Sequence, residues 1–262
     1  MIAIELKGRK AFITGGDSGL GAATAKSLAQ AGADVAISYR FKSDAADQVA
    51  AVARSFGVQA YTFRLDNISD TSEVDAVFRR VDQELGGLDI LVNNAGTDGP
   101  RALCAESDIS AWRQVVEVDL FGAYYCARAA VERMSRQRRG VIVNTSSVHE
   151  FIPWAGYSAY TSAKAGLSMF SKTLAQEVAA TGIRVISVAP GAIKTPINAD
   201  VWQDPKGLAD LDEKIPMGRV GEPDEIGHAV AFLCSDLASY ITGITVPVDG
   251  GMLLYPDFRQ GG

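Results

Sequence analysis

The chain has 262 residues, 47% of them hydrophobic, and a formal charge of −6 at neutral pH. That length suits one α/β domain with an ample core, and the acidic balance offers no basic surface to a phosphate backbone, which argues against a nucleic-acid partner. No run approaches the ~20 apolar residues of a membrane span, and the opening MIAIELKGRKAFITGG lacks a positive segment followed by a long apolar one, so a soluble, cytoplasmic protein with no membrane partner is expected. Cys104, Cys126 and Cys234 are scattered and form no CxxC pair, which suits reduced packing thiols; neither a disulfide nor a metal is expected.

Ala11, Phe12 and Ile13 form a short apolar run that ends in Thr14-Gly15-Gly16-Asp17-Ser18-Gly19-Leu20-Gly21. A helix follows, with Leu20, Ala23, Leu28 and Ala31 on one side and Gly32 closing it. Glycines between a buried strand and a helix let the backbone approach a pyrophosphate, which then meets the free N–H groups of the helix N-terminus. Gly15, Asp17, Ser18, Gly19, Leu20 and Gly21 are therefore candidate dinucleotide contacts, and a second strand at Val35 to Tyr39 completes a βαβ unit. An acidic residue at the end of that strand would accept from a ribose 2′-hydroxyl. Tyr39, Arg40 and Lys42 stand there instead, and the two cations can pair with a 2′-phosphate, which favours NADP. Asp17 would repel such a dianion, so NAD, or use of both, stays open.

Tyr61 to Leu65 reads as a third strand ending in Asp66 and Asn67, where Asp66 can accept from an adenine amine or serve as a turn aspartate. Val74, Val77, Phe78, Val81 and Leu85 give a helical stripe, and Leu88 to Val92 a fourth strand closed by Asn93-Asn94-Ala95-Gly96, small enough for a ribose and ring to pack on the backbone. From Ser107 to Arg139 one long helical region is expected, with Ile109, Trp112, Val116, Leu120 and Tyr124 at helical spacing and the Arg133 to Arg139 cluster at its C-terminus. Val141 to Thr145 is the fifth strand, holding Ser147 at the carboxyl edge where open parallel sheets bind ligands.

From about Ala159 a helix places Tyr160 and Lys164, four apart, on one face. A phenol ordinarily keeps its proton to about pH 10. An ammonium about 5 Å away, at an effective dielectric near 20, is worth about 3 kcal/mol toward removing it. Val185 to Val188 makes a sixth strand ending in Pro190-Gly191, and residues 192–222, rich in proline and glycine, read as an irregular lid over a site. Pro223 starts a helix, Ile244 to Val248 is a seventh strand, and the tail YPDFRQGG is either disordered or docked on a partner. Strands alternating with helices argue for an α/β fold with a doubly wound, Rossmann-type, seven-stranded parallel sheet, helices on both faces and a single domain.

Thr14-Gly15-x-x-x-Gly19-x-Gly21, Asn93-Asn94-Ala95-Gly96, Ser147, Tyr160-x-x-x-Lys164 and Pro190-Gly191, in this order, resemble the short-chain dehydrogenase/reductase family over the whole chain. The resemblance implies an NAD- or NADP-dependent oxidoreductase with Tyr160 as acid and base, Lys164 assisting it and holding the nicotinamide ribose, and Ser147 positioning the substrate oxygen. It also implies cofactor contacts at Asn94, Ala95, Gly96, Pro190, Gly191, Ile193 and Thr195, and a homotetramer. Within the family, Ser146 to Glu150, Ile152-Pro153-Trp154, Gly191 to Asn198, Ile215 to Gly218, Gly250-Gly251-Met252 and Tyr255-Pro256 are similar to the bacterial glucose 1-dehydrogenases. That implies oxidation of a sugar, glucose at C1 to the lactone, with His149, Glu150, Trp154 and Asn198 against the substrate beside Ser147 and Tyr160. Reduction of a sugar acid, a 3-oxoacyl thioester or a small carbonyl compound is the alternative within the family, and dinucleotide sensing with little turnover the alternative outside it. One position departs from the family pattern. Where an asparagine is usual in the long helix, this chain has Asp119, which when ionised accepts but cannot donate, and whose charge would offset that of Lys164.

Overall fold

The computed structural model describes residues 3–254, so the resemblance at Tyr255 and Pro256 and the reading of the tail fall outside the described residues. The apolar runs form strands β1 (Lys10–Ile13), β2 (Asp34–Tyr39), β3 (Ala60–Arg64), β4 (Ile90–Asn93), β5 (Gly140–Thr145), β6 (Ile183–Pro190) and β7 (Thr245–Val248). They pair in parallel throughout, in the order β3-β2-β1-β4-β5-β6-β7. Between them run α1 (Gly19–Gln30), α2 (Ser43–Arg54), α3 (Thr71–Leu85), α4 (Ile109–Val116), α5 (Ala123–Gln137), α6 (Ser158–Val178), α7 (Ala199–Trp202), α8 (Pro205–Lys214) and α9 (Pro223–Cys234).

Both faces of the sheet are buried, which explains the unbroken apolar runs. Successive strand residues point to opposite faces. Ala11, Ile13, Ile90, Val92, Val141 and Val143 pack with α1, α2 and α9, whereas Phe12, Leu91, Ile142 and Val185 pack with α3, α5 and α6. Chain order reverses between β1 and β4, and the carboxyl ends of those strands open a crevice at the switch point.

Three segments differ from the sequence reading. Helix α2 has no large apolar stripe and buries only Ala46, Ala50 and Ala53, too weak a signal to read as an element. The single long helix expected over residues 107–139 is instead α4 and α5 joined by a wider π-helical stretch at Glu117–Gly122, a distortion that single-turn insertions in helices produce, often at functional sites. Residues 192–222 are not irregular but carry α7 and α8. Asp204 caps α8 by accepting from Gly207 N at 2.8 Å, with Pro205 in the first turn. The ends of this segment are laced together. Lys194 N donates to Gly221 O at 2.9 Å, Gly221 N donates to Ala192 O at 3.0 Å, and Lys194 pairs with Glu222.

Candidate active site

A cleft of about 1840 Å³ follows the carboxyl edge of the sheet. Its walls bring together Gly15, Asp17, Ser18, Gly19, Leu20, Tyr39 and Arg40 from the first βαβ unit, Asp66 and Asn67 beyond β3, and Asn94, Ala95 and Gly96 beyond β4. Across from them stand Asp119, Ser147, His149, Trp154, Tyr160, Lys164, Pro190, Gly191, Ile193, Thr195 and Asn198.

The glycine loop is shaped by contacts that exclude side chains. Gly15 has φ +61°, a left-handed conformation that glycine adopts without penalty. A Cβ on Gly21 would lie 2.2 Å from Gly15 O and 2.5 Å from Asn94 Nδ2. Gly21, read from the sequence as a dinucleotide contact, is thus closely packed behind the loop and does not line the cleft wall. Asn94 turns its amide to the same loop, donating to Thr14 O at 3.1 Å and Gly15 O at 3.0 Å. Thr14 Oγ accepts from Asn94 N and Ala95 N at 3.0 Å each, locking the ends of β1 and β4 together. Ser18 precedes α1 without a side-chain cap, and no acidic residue lies in the first turn, so the helix N-terminus faces the cleft with free N–H groups.

Lys164 lies one turn beyond Tyr160 on α6, its Nζ 5.5 Å from the phenol ring centre. Nζ donates to Thr145 O at 3.0 Å and stands 3.1 Å from Asp119 Oδ2, with both side chains buried. Burial works to lower the Lys164 pKa, but the Asp119 charge, the Tyr160 oxygen and further contacts outweigh it and leave the pKa raised, so the ammonium is held. Burial pushes the Asp119 carboxyl up, against the pull of Lys164 and of Thr97 N, which donates to Oδ1 at 2.8 Å. Oδ2 has no aligned hydrogen bond despite its closeness to the ammonium. Thr97 is a site residue the sequence reading misses; it reaches Asp119 through its backbone N–H, so the residue type carries no signal of that contact. Ser147 is buried in extended backbone (φ −164°) at the end of β5, its Oγ accepting from His149 N at 3.2 Å.

The residues read as substrate contacts divide. Trp154 stacks between His149, ring centres 4.5 Å apart, and Tyr157 at 3.8 Å, and meets Tyr160 edge-on at 6.2 Å. His149 Nδ1 lies 3.2 Å from Ile152 O. A carbonyl only accepts, so Nδ1 carries the proton; burial lowers the ring's pKa, and the neutral ring keeps Nε2 as an acceptor. Glu150, by contrast, is absent from the cleft wall, its carboxylate accepting from Ser146 Oγ and Ser168 Oγ. Asn198 borders the cleft, but its amide is engaged in a capping box, accepting from Thr195 N at 3.1 Å and donating to Ile193 O at 3.0 Å. Asp66 pairs with Arg64 at 2.8 Å, which leaves its second oxygen available at the rim.

Residues 15–253 match the family model described as enoyl-(acyl carrier protein) reductase. A 3beta-hydroxysteroid dehydrogenase of Eggerthella lenta is 42% identical over 98% of both chains, and glucose 1-dehydrogenase 2 of Bacillus subtilis is 35% identical over 96% of this chain and 97% of its own. The chain belongs to the short-chain dehydrogenase/reductase family. Among structures of short-chain dehydrogenases, acetoin dehydrogenase from Salmonella typhimurium superposes with a TM-score of 0.85 at 40% identity, covering 94% of this chain and 96% of that one. Short-chain dehydrogenases use nicotinamide cofactors, NAD or NADP, on small-molecule substrates. The uncapped α1 N-terminus, the close-packed glycine-rich loop and the long cleft fit such a dinucleotide. Among the described residues no helix is long and apolar enough to cross a membrane, and no group of three His, Cys, Asp or Glu is placed to hold a metal.

Proposed function

We propose that this short-chain dehydrogenase oxidises a ring-borne secondary alcohol with NADP or NAD, Tyr160 acting as acid and base. The observation that carries the reading is the placement of Lys164, anchored by Thr145 O and one turn from Tyr160, in the same cleft as Ser147. Ser147 donates to the substrate oxygen and holds it where charge develops. Tyr160, beside the ammonium, accepts the hydroxyl proton. The bound nicotinamide supplies the hydride acceptor. The products are a ketone, or a lactone from a sugar, and the reduced dinucleotide.

A ring is favoured because the aromatic rings of His149, Trp154 and Tyr160, packed on one another, line the cleft and give an apolar surface against which a six-membered ring can lie. Glucose at C1 remains within this class, and the likeness to glucose 1-dehydrogenase 2 supports it. The withdrawal of Glu150 and Asn198 into their own hydrogen bonds favours a less hydroxylated ring, as does the likeness to a hydroxysteroid enzyme. Residues 192–222 act as the lid, since Thr195, Ile197, Asn198, Val201, Leu211 and Lys214 overhang the cleft. Arg40 and Lys42 at its adenosine end favour NADP. Exposed Ile109, Phe121, Tyr124 and Met169 support a homotetramer, to be checked by light scattering.

The deciding experiment follows reduction of NADP and NAD with cyclohexanol, a 3β-hydroxysteroid, glucose and acetoin, and oxidation of NADPH with a 3-oxoacyl thioester, in the wild type and in Tyr160→Phe. Turnover of a ring alcohol that falls by 10²-fold or more in Tyr160→Phe is expected. Equal turnover in that variant would refute the role of the phenol, and thioester reduction alone would refute the ring-alcohol reading.

A further inference from the structure

We infer that Glu150 is a positioning residue for the reaction, bridging the turn that carries Ser147 to the helix that carries Tyr160 and Lys164. The inference rests on the proposed roles of those three residues. Glu150 ends the short turn Val148–Glu150 that follows Ser147, and its carboxylate faces away from the cleft. One oxygen accepts from Ser146 Oγ, the neighbour of Ser147; the other accepts from Ser168 Oγ at 2.8 Å. Ser168 lies one helical turn beyond Lys164 on α6, two turns beyond Tyr160.

Ser146 and Ser168 are 3% and 5% exposed, so each hydroxyl needs a partner inside the protein. A carboxylate accepts on both oxygens at once, which lets a single side chain fix two elements; charged acceptors also make the stronger hydrogen bonds. Ser168 Oγ lies 3.4 Å from Thr245 Oγ on β7, and Ser146 Oγ lies 3.5 Å from Lys164 O, so the bridge ties the Ser147 turn, α6 and the sheet edge together. On the cleft side Lys164 Nζ donates to Thr145 O, a tie made by a group the reaction itself employs. The Glu150 charge is also among those that hold Lys164 protonated. Catalysis is sensitive to misplacement of reacting groups by about 1 Å, which is worth up to about 10²-fold in rate.

Amide hydrogen exchange on the full chain reads the bridge without any substrate. Glu150→Ala is expected to raise exchange over residues 146–151 about tenfold and leave β5 and β6 at wild-type protection. Glu150→Gln can accept from one serine and donate to the other, and is expected to keep wild-type protection. Unchanged exchange in Glu150→Ala, loosening that spreads through the sheet, or a glutamine variant as loose as the alanine one would each overturn the bridge. With the ring alcohol that proves active, Glu150→Ala is expected to lower kcat about tenfold with the dinucleotide KM within twofold, and Glu150→Gln to recover kcat to within threefold. Undiminished kcat in Glu150→Ala overturns the positioning role. Failure of the functional reading shows separately, as turnover retained in Tyr160→Phe, and leaves the exchange result standing.

Discussion

Lys164 Nζ and Asp119 Oδ2 stand 3.1 Å apart, the lysine side chain 5% exposed and the aspartate fully enclosed. The ammonium proposed to favour the Tyr160 phenolate thus has a counter-ion of its own. Removing that negative charge while keeping the shape leaves the field of the ammonium unopposed at the phenol oxygen. In Asp119→Asn, the rising alkaline limb of kcat/KM for alcohol oxidation is expected to move to lower pH, on the order of one unit. A pH–rate profile measures it; an unmoved limb removes Asp119 from the account. Asp119→Ala, which strips Lys164 and Thr97 N of a partner, is expected to cost about 3–5 kcal/mol of stability, the usual penalty for breaking a buried pair, and to show as a lowered melting temperature.

Gly21→Ala places a methyl group 2.2 Å from Gly15 O and 2.5 Å from Asn94 Nδ2, so α1 or the loop must move. A cost of about 1–3 kcal/mol is expected from overpacking, together with about tenfold weaker dinucleotide binding. Thermal melting and fluorescence titration with NADPH separate the two effects, and unchanged binding would show that the glycine loop does not carry the pyrophosphate.

Arg40 lies exposed at the cleft wall just beyond β2, its guanidinium 4.5 Å from the ring centre of Phe41. In Arg40→Ala the ratio of kcat/KM for NADP to that for NAD is expected to fall about tenfold, since a charge-assisted contact to phosphate is worth about 1.5–3 kcal/mol. A constant ratio would transfer the preference to Lys42 or abolish it.

The Glu225 carboxyl is held down at about 2 by hydrogen bonds from Arg219 and from Glu222 N, against an ordinary 4.5. A depressed carboxylate contributes stability that is complete above the unfolded pKa and disappears as pH falls through the folded one. The melting-temperature gap between wild type and Glu225→Gln is therefore expected to be constant above about pH 5 and to close between about pH 4.5 and 2. Its size is small, about 1 kcal/mol, because the pair is solvent-screened. A gap independent of pH would assign the effect to packing.

Strands β1, β2, β4, β5 and β6 were legible because burial on both faces leaves continuous apolar runs, and α3 because Val74, Val77, Phe78 and Val81 repeat at helical spacing. Helix α2 was not, since alanines bury well against a sheet yet read as neutral. Nor was α8, which buries no residue and is held by an aspartate cap. In the cleft, Tyr160, Lys164 and Ser147 could be read because their spacing is local or fixed by a strand end. The hydrogen-bond partners of Glu150 and Asn198 could not. Whether a polar side chain faces a ligand or a neighbour depends on which hydroxyls and carbonyls the fold brings beside it, here Ser168, eighteen residues on from Glu150, and the Thr195 cap for Asn198. The π-helical stretch that holds Asp119 likewise leaves no mark in the residue pattern.

The segment over the cleft leaves the body at Ala192 and rejoins it at Glu222, where its two ends run side by side through paired backbone hydrogen bonds. A loop closed at its base can change length for only about 0.6 kcal/mol per doubling. Residues 199–214, which carry α7 and α8 and bury no side chain, are the part of this segment least tied to the body. Transplanting the corresponding stretch from a relative is expected to alter which molecules are admitted while the sheet, the glycine turn and the tyrosine-bearing helix stay as they are, so that substrate choice diverges without renegotiating the reaction itself.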